Sequence, residues 1–312
     1  MELFILIGRK LRNFNLYIMF YRRKIILALL ELFEGELEKI RLQKLLFLFC
    51  QKQEKADYDF ITYKYGCYSY SANADMTAMT TKGLLTETAK SFQKIDDVSY
   101  LKLLKATDLS KLRSIKTLYG EMDSTALMKH TYRNFPYWAI NSIKAPSILS
   151  KEELDKVEKQ KVSSNQTILY TIGYEGGSLE DYLNRLLRND VKVLVDVRNN
   201  PLSMKFGFSK SLLKRYCESL NIIYMHFPEV GIVSDKRQAL NTQADYDRLF
   251  EDYRENNIPQ TIDTQTTILK ILQEYRRIAL TCFEANYCQC HRSHLANAIK
   301  TLPGFEYEVK HI

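Results

Sequence analysis

The spacing of short apolar runs in the second half of the 312-residue chain most strongly limits how it can fold. Such runs occupy residues 167–172, 191–197, 222–227, 277–283 and 307–312. Runs of this length suit strands that are buried on both faces. Between them, apolar residues recur at helical spacing over 179–189, 209–220, 246–255, 265–275 and 293–301. Alternating strands and helices predict an α/β domain with a mostly parallel sheet and right-handed crossovers.

The first half is predicted to be mainly α-helical. Helical spacing predicts helices over 22–33, 37–51, 71–82, 102–118, 124–134 and 151–161, and alternation predicts a strand over 58–65. Residues 66–71 are predicted to form a turn, and residues 83–85 to enter a short strand. The order helix–helix–strand–helix–strand is similar to a winged-helix variant. The polar stretch Val162-Ser163-Ser164-Asn165 predicts a linker, which divides the chain into domains at 1–164 and 165–312.

The net charge of +8 lies entirely in the first half. Residues 1–165 carry 27 Lys and Arg against 19 Asp and Glu, whereas residues 166–312 carry 18 of each. This asymmetry is expected of a domain that meets a polyanion such as nucleic acid, although a solvated basic surface explains it as well.

Cysteine usage and hydropathy predict a cytoplasmic protein without a membrane partner. The six cysteines have no disulfide-framework spacing. The apolar run at residues 3–7 is too short to span a membrane and lacks the features of a signal peptide. Met19 precedes a basic cluster and a strong helix, so translation starting there is a hypothesis that native N-terminal mass analysis tests.

Polar side chains follow several predicted strands at the carboxyl end. Asp196 and Arg198 close the second strand, Glu284 follows the fourth, and Tyr174 follows the first. In a parallel sheet these ends share one edge, and ligands bind outside it. An acid and a guanidinium are costly to bury unpaired, so they predict either a structural ion pair or a functional site.

The densest group of reactive side chains is formed by Cys282-Phe283-Glu284 and Cys288-Gln289-Cys290-His291-Arg292. A structural zinc site usually pairs one such knuckle with a second elsewhere, which the sequence does not offer. No metal and no cofactor are therefore predicted. A nucleophilic Cys290 beside His291, or a thiol enzyme that uses Cys282, stays an alternative.

The favoured interpretation places His291 and Arg292 at the start of a helix, where backbone N–H groups and the arginine charge bind an anion. Glu284 then faces this anion site as a general acid or base, and His291 joins it in catalysis. Ser203 and Cys290 are expected to contribute to substrate binding.

The motifs of the second half resemble a known family. They are Ile172-Gly173-Tyr174, Asp196-Val197-Arg198 with Pro201-Leu202-Ser203, Cys282-Phe283-Glu284, Cys290-His291-Arg292 and Val309-Lys310-His311-Ile312. In this order they resemble the family of domains of unknown function numbered 488, over residues 167–312. The resemblance implies a Rossmann-like α/β fold in a bacterial or archaeal cytoplasmic protein and no settled reaction. Members often carry Gly-Gly after the third strand, whereas Pro228-Glu229-Val230-Gly231-Ile232 has one glycine, so a different loop geometry is expected there.

The first half resembles the Panacea or SocA-like antitoxin domains. The residues that carry this resemblance are Leu42-Gln43-Lys44-Leu45-Leu46-Phe47, Tyr63-Lys64-Tyr65-Gly66, and His130 with Pro136-Tyr137-Trp138. The resemblance implies an interaction or regulatory module that occurs near toxin and phage-defence genes, and hence a protein partner.

Together these features predict an enzyme of hydrolytic type, a nuclease or a glycosidic-bond enzyme, that acts on nucleic acid or nucleotides. Arg198 and Arg292 would hold phosphate, Tyr174 would bind substrate, and Glu284 or Asp196 would activate water. The alternative is a non-catalytic, antitoxin-like regulator that binds a nucleotide or nucleic acid.

Overall fold

The computed structural model describes residues 19–233 and 242–312, and it divides into two compact units. Unit 1 ends at Gln160, and unit 2 runs over Lys161–Ile312. The predicted boundary near residue 164 lies a few residues beyond this division. The Met19 hypothesis concerns residues outside the described ones. The long polar stretch at residues 228–245 predicts a functional loop or lid, and its middle also lies outside the described residues.

Unit 1 is rich in helices, as predicted. Its helices are α1 (Tyr21–Leu32), α2 (Lys39–Cys50), α3 (Tyr70–Thr81), α4 (Ala106–Tyr119), α5 (Ser124–Asn134), α6 (Ala145–Ile148) and α7 (Lys151–Glu158), with 3₁₀ turns at Leu101–Leu103 and Pro136–Ala139. Its strands are β1 (Glu36–Glu38), β2 (Ile61–Tyr63), β3 (Gly66–Tyr68), β4 (Leu85–Glu87) and β5 (Ser91–Lys94).

The strands of unit 1 form two small antiparallel sheets. One has the order β1-β5-β4, and the other is the hairpin β2-β3. Residues 66–71 are therefore not simply a turn, because Gly66–Tyr68 pairs with the strand before it. Gly66 stands at φ +83°, a conformation that glycine adopts without strain, and so closes this tight hairpin. The winged-helix interpretation is not confirmed and stays a prediction.

The core of unit 1 is built on α1 and α2. Residues Ile25 to Leu30 are all fully buried, because apolar side chains surround the middle of α1 on every side. Phe47 of α2 is also fully buried, and its ring meets those of Phe60, Phe135 and Trp138 edge-on at centroid distances of 5.2–5.4 Å.

Unit 2 is an α/β domain with a parallel sheet, as predicted. Its strands are β6 (Ile168–Gly173), β7 (Val193–Asp196), β8 (Ile223–His226), β9 (Arg277–Cys282) and β10 (Glu308–His311). They form a five-stranded sheet in the order β10-β6-β9-β7-β8, and every pairing is parallel. All residues of β6, β7 and β9 are buried, which explains why their sequences are mostly apolar.

Helices connect the strands of unit 2 where helical spacing predicted them. They are α8 (Leu179–Arg188), α9 (Lys210–Glu218), α10 (Gln243–Asp252), α11 (Ile258–Gln260), α12 (Ile262–Tyr275) and α13 (His291–Lys300), with a π-helical turn at Tyr253–Asn257 and 3₁₀ turns at Pro228–Val230 and Tyr287–Gln289. Ser178 caps α8 by accepting a hydrogen bond from the Asp181 N–H. Among the described residues, no helix is long and apolar enough to cross a membrane.

Replacing Phe47 with alanine should lower the free energy of unfolding of unit 1 by about 3–5 kcal/mol, because a buried ring is lost and a cavity remains. The single Trp of the chain, Trp138, packs on Phe47 and therefore reports on this unit in a denaturant titration followed by fluorescence. Phe20→Ala is the matched control, since Phe20 is 62% exposed and should cost less than about 1 kcal/mol. Equal midpoints for the two variants would contradict the assignment of Phe47 to the core.

Candidate functional site

The strand ends of unit 2 bring chemically active residues to one edge of the sheet. In the register of the sheet, Gly173 lies opposite Cys282, and Asp196 lies opposite both Thr281 and His226. The carboxyl ends of β6, β7, β8 and β9 therefore meet side by side, where parallel sheets bind their ligands.

A buried ion pair stands at the centre of this edge. Asp196 is fully buried and Arg198 is 6% exposed. The guanidinium donates to the carboxylate through Nε at 2.8 Å and through Nη2 at 2.5 Å. Asp196 also accepts hydrogen bonds from the Arg198 backbone N–H and from the Tyr224 hydroxyl. With four donors on its two oxygens, the geometry favours a positioning role for Asp196 over the predicted proton transfer.

The guanidinium of Arg198 is fixed on its other side as well. Nη1 donates to the Tyr174 hydroxyl at 2.8 Å and to the Phe208 carbonyl at 2.9 Å. The Tyr174 ring stacks on Phe208 with centroids 4.2 Å apart and planes 9° apart. Arg198 thus holds the segment after β7 against the segment after β6, and most of its donors are occupied by protein.

The protonation states of this group favour the same contacts. Burial by itself lowers the pKa of Arg198, but the hydrogen bonds and charge of Asp196 outweigh it and raise the pKa above its ordinary value. Burial and the neighbouring Asp196 charge also raise the pKa of Tyr224, so its hydroxyl remains a donor to Asp196.

The loop that carries Glu284 is held through its backbone. Arg292 donates from Nη1 to the Glu284 carbonyl and from Nη2 to the Ala285 carbonyl, the latter at 3.1 Å. A Cβ on Gly173 would lie 1.8 Å from the Glu284 carbonyl oxygen, so only glycine allows this approach. The Tyr174 N–H donates to the Phe283 carbonyl and joins the same loop to the end of β6.

Arg292, which was predicted to bind an anion, is directed at the backbone of the Glu284 loop. Its side chain is 1% exposed, and its guanidinium faces backbone carbonyls of the Glu284 loop instead of solvent. A guanidinium satisfies such carbonyls well, so this arginine orders the loop, and the role of holding phosphate stays a prediction.

Cys282, Cys290 and His291 lie together beneath this loop. All three are buried, and their ligand atoms lie within 4.8 Å of one another. The Cys282 Sγ is 3.6 Å and the Cys290 Sγ 4.0 Å from the His291 Nδ1. The Cys282 thiol also donates to the Glu284 carboxylate at 3.2 Å. Burial, with the neighbouring Cys282 and Glu284, raises the pKa of the Cys290 thiol well above its ordinary value.

The orientation of His291 follows from its other nitrogen. The Nε2 lies 3.0 Å from the Val197 carbonyl oxygen, which only accepts, so Nε2 carries the hydrogen. The other nitrogen, Nδ1, then faces the two thiols. Because Val197 lies between Asp196 and Arg198, the same short segment of backbone holds both the ion pair and His291.

A cavity of about 310 Å³ opens above these residues. Its lining includes Arg198, Ser203, Cys282 and His291, together with Tyr174, Asn199, Asn200, Leu202, Met204, Ile232 and Phe283. Ser203 is half-buried, and its hydroxyl accepts a hydrogen bond from the Lys205 N–H. Of the predicted substrate-binding residues, Tyr174, Arg198 and Ser203 thus reach one cavity, whereas Cys290 and Arg292 do not line it.

The one glycine of residues 228–232 stands at a close approach of two backbone segments. A Cβ on Gly231 would lie 2.2 Å from the Asn199 backbone nitrogen. This one glycine therefore lets the loop after β8 pass against Asn199, which lines the cavity.

Sequence reasoning missed Tyr224 and His226, both of strand β8. The His226 Nε2–H donates to the Arg198 carbonyl at 2.8 Å, and its Nδ1 accepts from the Lys210 ammonium at 2.9 Å. The sequence did carry a signal for His226, because this residue ends the third strand of unit 2. Ligands bind at the carboxyl ends of parallel strands, and this rule applies to His226 as it does to the other strand ends.

Asp196→Asn should lower the stability of unit 2 by about 3–5 kcal/mol, because the Arg198 charge stays buried after its partner is lost. The measurement is amide hydrogen exchange of β7 and β9 by mass spectrometry, since the only Trp lies in unit 1. Asp181→Asn removes an exposed partner of Arg185 at 3.3 Å and should cost less than about 1 kcal/mol. Similar exchange in both variants would show that the ion pair does not stabilise the unit.

Comparison with known proteins supports the C-terminal resemblance. No curated protein matches the chain. The N-terminal resemblance to Panacea or SocA-like antitoxin domains is not shown and stays a prediction. Residues 178–299, which hold the ion pair, the Glu284 loop and the Cys282–His291 group, match the domain family described as Domain of unknown function DUF488.

Proposed function

We propose that the cavity of unit 2 is the active site of an enzyme that hydrolyses a bond in nucleic acid or in a nucleotide. The observation that carries this proposal is that Cys282 and His291 line a cavity of about 310 Å³ at the strand ends, with the Cys290 thiol and the Glu284 carboxylate directly beside them. Cavities of about 300–1,000 Å³ with a few convergent polar groups are typical of small-molecule sites.

Glu284 is the group that accepts a proton from the attacking water. Its half-buried side chain stands beside the Cys282 thiol, which lines the cavity. Its backbone is fixed by Arg292 and by the close approach of Gly173, so the carboxylate is placed by rigid neighbours. Such positioning before the substrate arrives supports general base catalysis.

The walls of the cavity suit a nucleotide-sized ligand. Asn199, Asn200 and Ser203 offer hydrogen-bond donors and acceptors, and the ring of Phe283 is 42% exposed and available for stacking on a base. Because Arg198 is paired with Asp196, a phosphate would also need the Lys205 ammonium, which donates to the backbone carbonyl of Tyr174, a residue of the cavity lining.

The basic first half would bring a polyanionic substrate to the protein, since the excess of Lys and Arg lies there. The same charge favours the second candidate, a non-catalytic regulator that binds nucleic acid, with a role in phage defence. The two candidates differ in whether unit 2 turns over a substrate.

Glu284→Gln should abolish turnover while leaving the fold intact, because the amide keeps the shape of the carboxylate but cannot accept the proton. A panel of single- and double-stranded DNA, RNA and nucleotides is incubated with each protein, and products are followed by mass spectrometry. Glu218→Gln is the matched control, since Glu218 is exposed in a 3.7 Å pair with Lys214, and it should retain full activity. Product at the same rate from wild type and Glu284→Gln would remove Glu284 from the mechanism. If no protein yields product but all bind, the regulator is favoured.

Nucleic-acid affinity should fall steeply with salt. The logarithm of the affinity should decline linearly with the logarithm of the salt concentration, by about 0.7–0.9 for each phosphate contacted. Fluorescence anisotropy with labelled single and double strands measures this slope. Glu284→Gln should give the same slope, because the charge that attracts the polyanion lies in the other half of the chain. A slope near zero would argue against a polyanionic partner.

A further inference from the structure

We propose that Cys282, Cys290 and His291 bind a divalent metal ion that prefers sulfur and nitrogen ligands, of which Zn²⁺ is the type, with one coordination position open towards the cavity. Strand β9 ends with Cys282, and helix α13 begins with His291 directly after Cys290. The fold thus joins two segments that are separated in the sequence by the Glu284 loop.

The distances between the three ligand atoms suit tetrahedral coordination. An ion about 2.3 Å from a sulfur and about 2.0–2.1 Å from a nitrogen separates these two atoms by roughly 3.6 Å. The two Sγ–Nδ1 distances are 3.6 Å for Cys282 and 4.0 Å for Cys290. The Cys282 distance matches this value, and the Cys290 distance is slightly longer.

The second nitrogen of His291 is bound in the manner of a metal ligand. Ligating histidines almost always donate their other N–H to a carboxylate, a carbonyl or water, which fixes the tautomer and aims the free nitrogen at the metal. Here Nε2–H donates to the Val197 carbonyl, and Nδ1 is directed at the thiols.

The open position is indicated by the lining of the cavity. Cys282 and His291 both line it, so a metal between them is reached from the cavity. Zinc sites with three protein ligands and one open position hold a water there and lower its pKa, whereas structural sites are closed by four ligands. Glu284 touches Cys282 but is not a member of the three-ligand group, which suits a base beside the metal.

This last step rests on the proposed hydrolytic function. The O–H bond of the metal-bound water breaks, its proton passes to the Glu284 carboxylate, and the hydroxide adds to the electrophilic atom of the substrate. The bond between that atom and the leaving group then breaks, and Glu284 passes the proton to the leaving group, so that one water is consumed and no oxidant or reductant is needed.

The test measures metal content and coordination in the full chain under reducing conditions. Wild-type protein should retain about one equivalent of zinc after dialysis, and Co²⁺ added to the apoprotein should give a thiolate-to-cobalt charge-transfer band with the visible bands of tetrahedral cobalt. Cys290→Ser should lose the band and weaken binding at least about tenfold. Cys288→Ser is the matched control, because Cys288 is exposed and outside the group, and it should behave as wild type.

Absence of bound zinc together with absence of a cobalt spectrum in wild type would overturn the proposal, whether or not Cys290→Ser folds. An unchanged spectrum in folded Cys290→Ser would overturn the ligand set. Glu284→Gln should retain the cobalt spectrum, and its loss there would make Glu284 a ligand and overturn the open position. Metal binding without activity towards any substrate would leave the metal site standing and reject the hydrolytic function. Activity that survives complete removal of the metal would leave the hydrolytic function standing and remove the metal from its mechanism.

Discussion

The buried pair of Asp196 and Arg198 is the interaction on which the edge of the unit 2 sheet depends. Two opposite charges taken out of water are stable only when their remaining donors and acceptors are also satisfied. Tyr224 supplies the last donor to Asp196, and the Tyr174 hydroxyl and Phe208 carbonyl accept from Arg198. Through these contacts a single ion pair joins β8 and the segments that follow β6 and β7.

A second constraint is steric. The Glu284 loop crosses the end of β6 so closely that Gly173 has no space for a side chain. Arg292 holds the same loop by donating hydrogen bonds to two of its backbone carbonyls. Glu284 is thus positioned by its backbone, while its carboxylate remains beside the cavity. Arginine is suited to this task, because its planar fork of donors can hold two carbonyls at once.

Much of unit 2 could be predicted from the sequence, because buried strands and helices leave distinct apolar spacings. The convergence of Tyr174, Asp196 and Arg198 also followed from one rule about parallel strands. The hydrogen-bond partners of Arg292 could not be predicted, because an arginine at the start of a helix can bind either an anion or backbone carbonyls. In unit 1 the strands are three or four residues long, too short to show alternation, so β1, β3 and β5 were missed.

The group of Cys282, Cys290 and His291 shows a different limit of sequence reasoning. Spacing along the chain argued against a metal, because the expected second knuckle was absent. The third ligand of the proposed site, Cys282, ends strand β9. The packing of α13 against β9 brings it close to Cys290 and His291. Tertiary structure therefore decides which ligands meet, and local spacing does not.

The register of β6 has a consequence for how the chain is made on the ribosome. Ile168 lies opposite Arg277 in the neighbouring strand β9, so β6 has no partner on that side until most of unit 2 has been synthesised. Unit 1, in contrast, pairs its strands locally and can fold early. During synthesis, the apolar β6 therefore remains unpaired after unit 1 has folded. This is the interval in which the nascent chain needs a chaperone most.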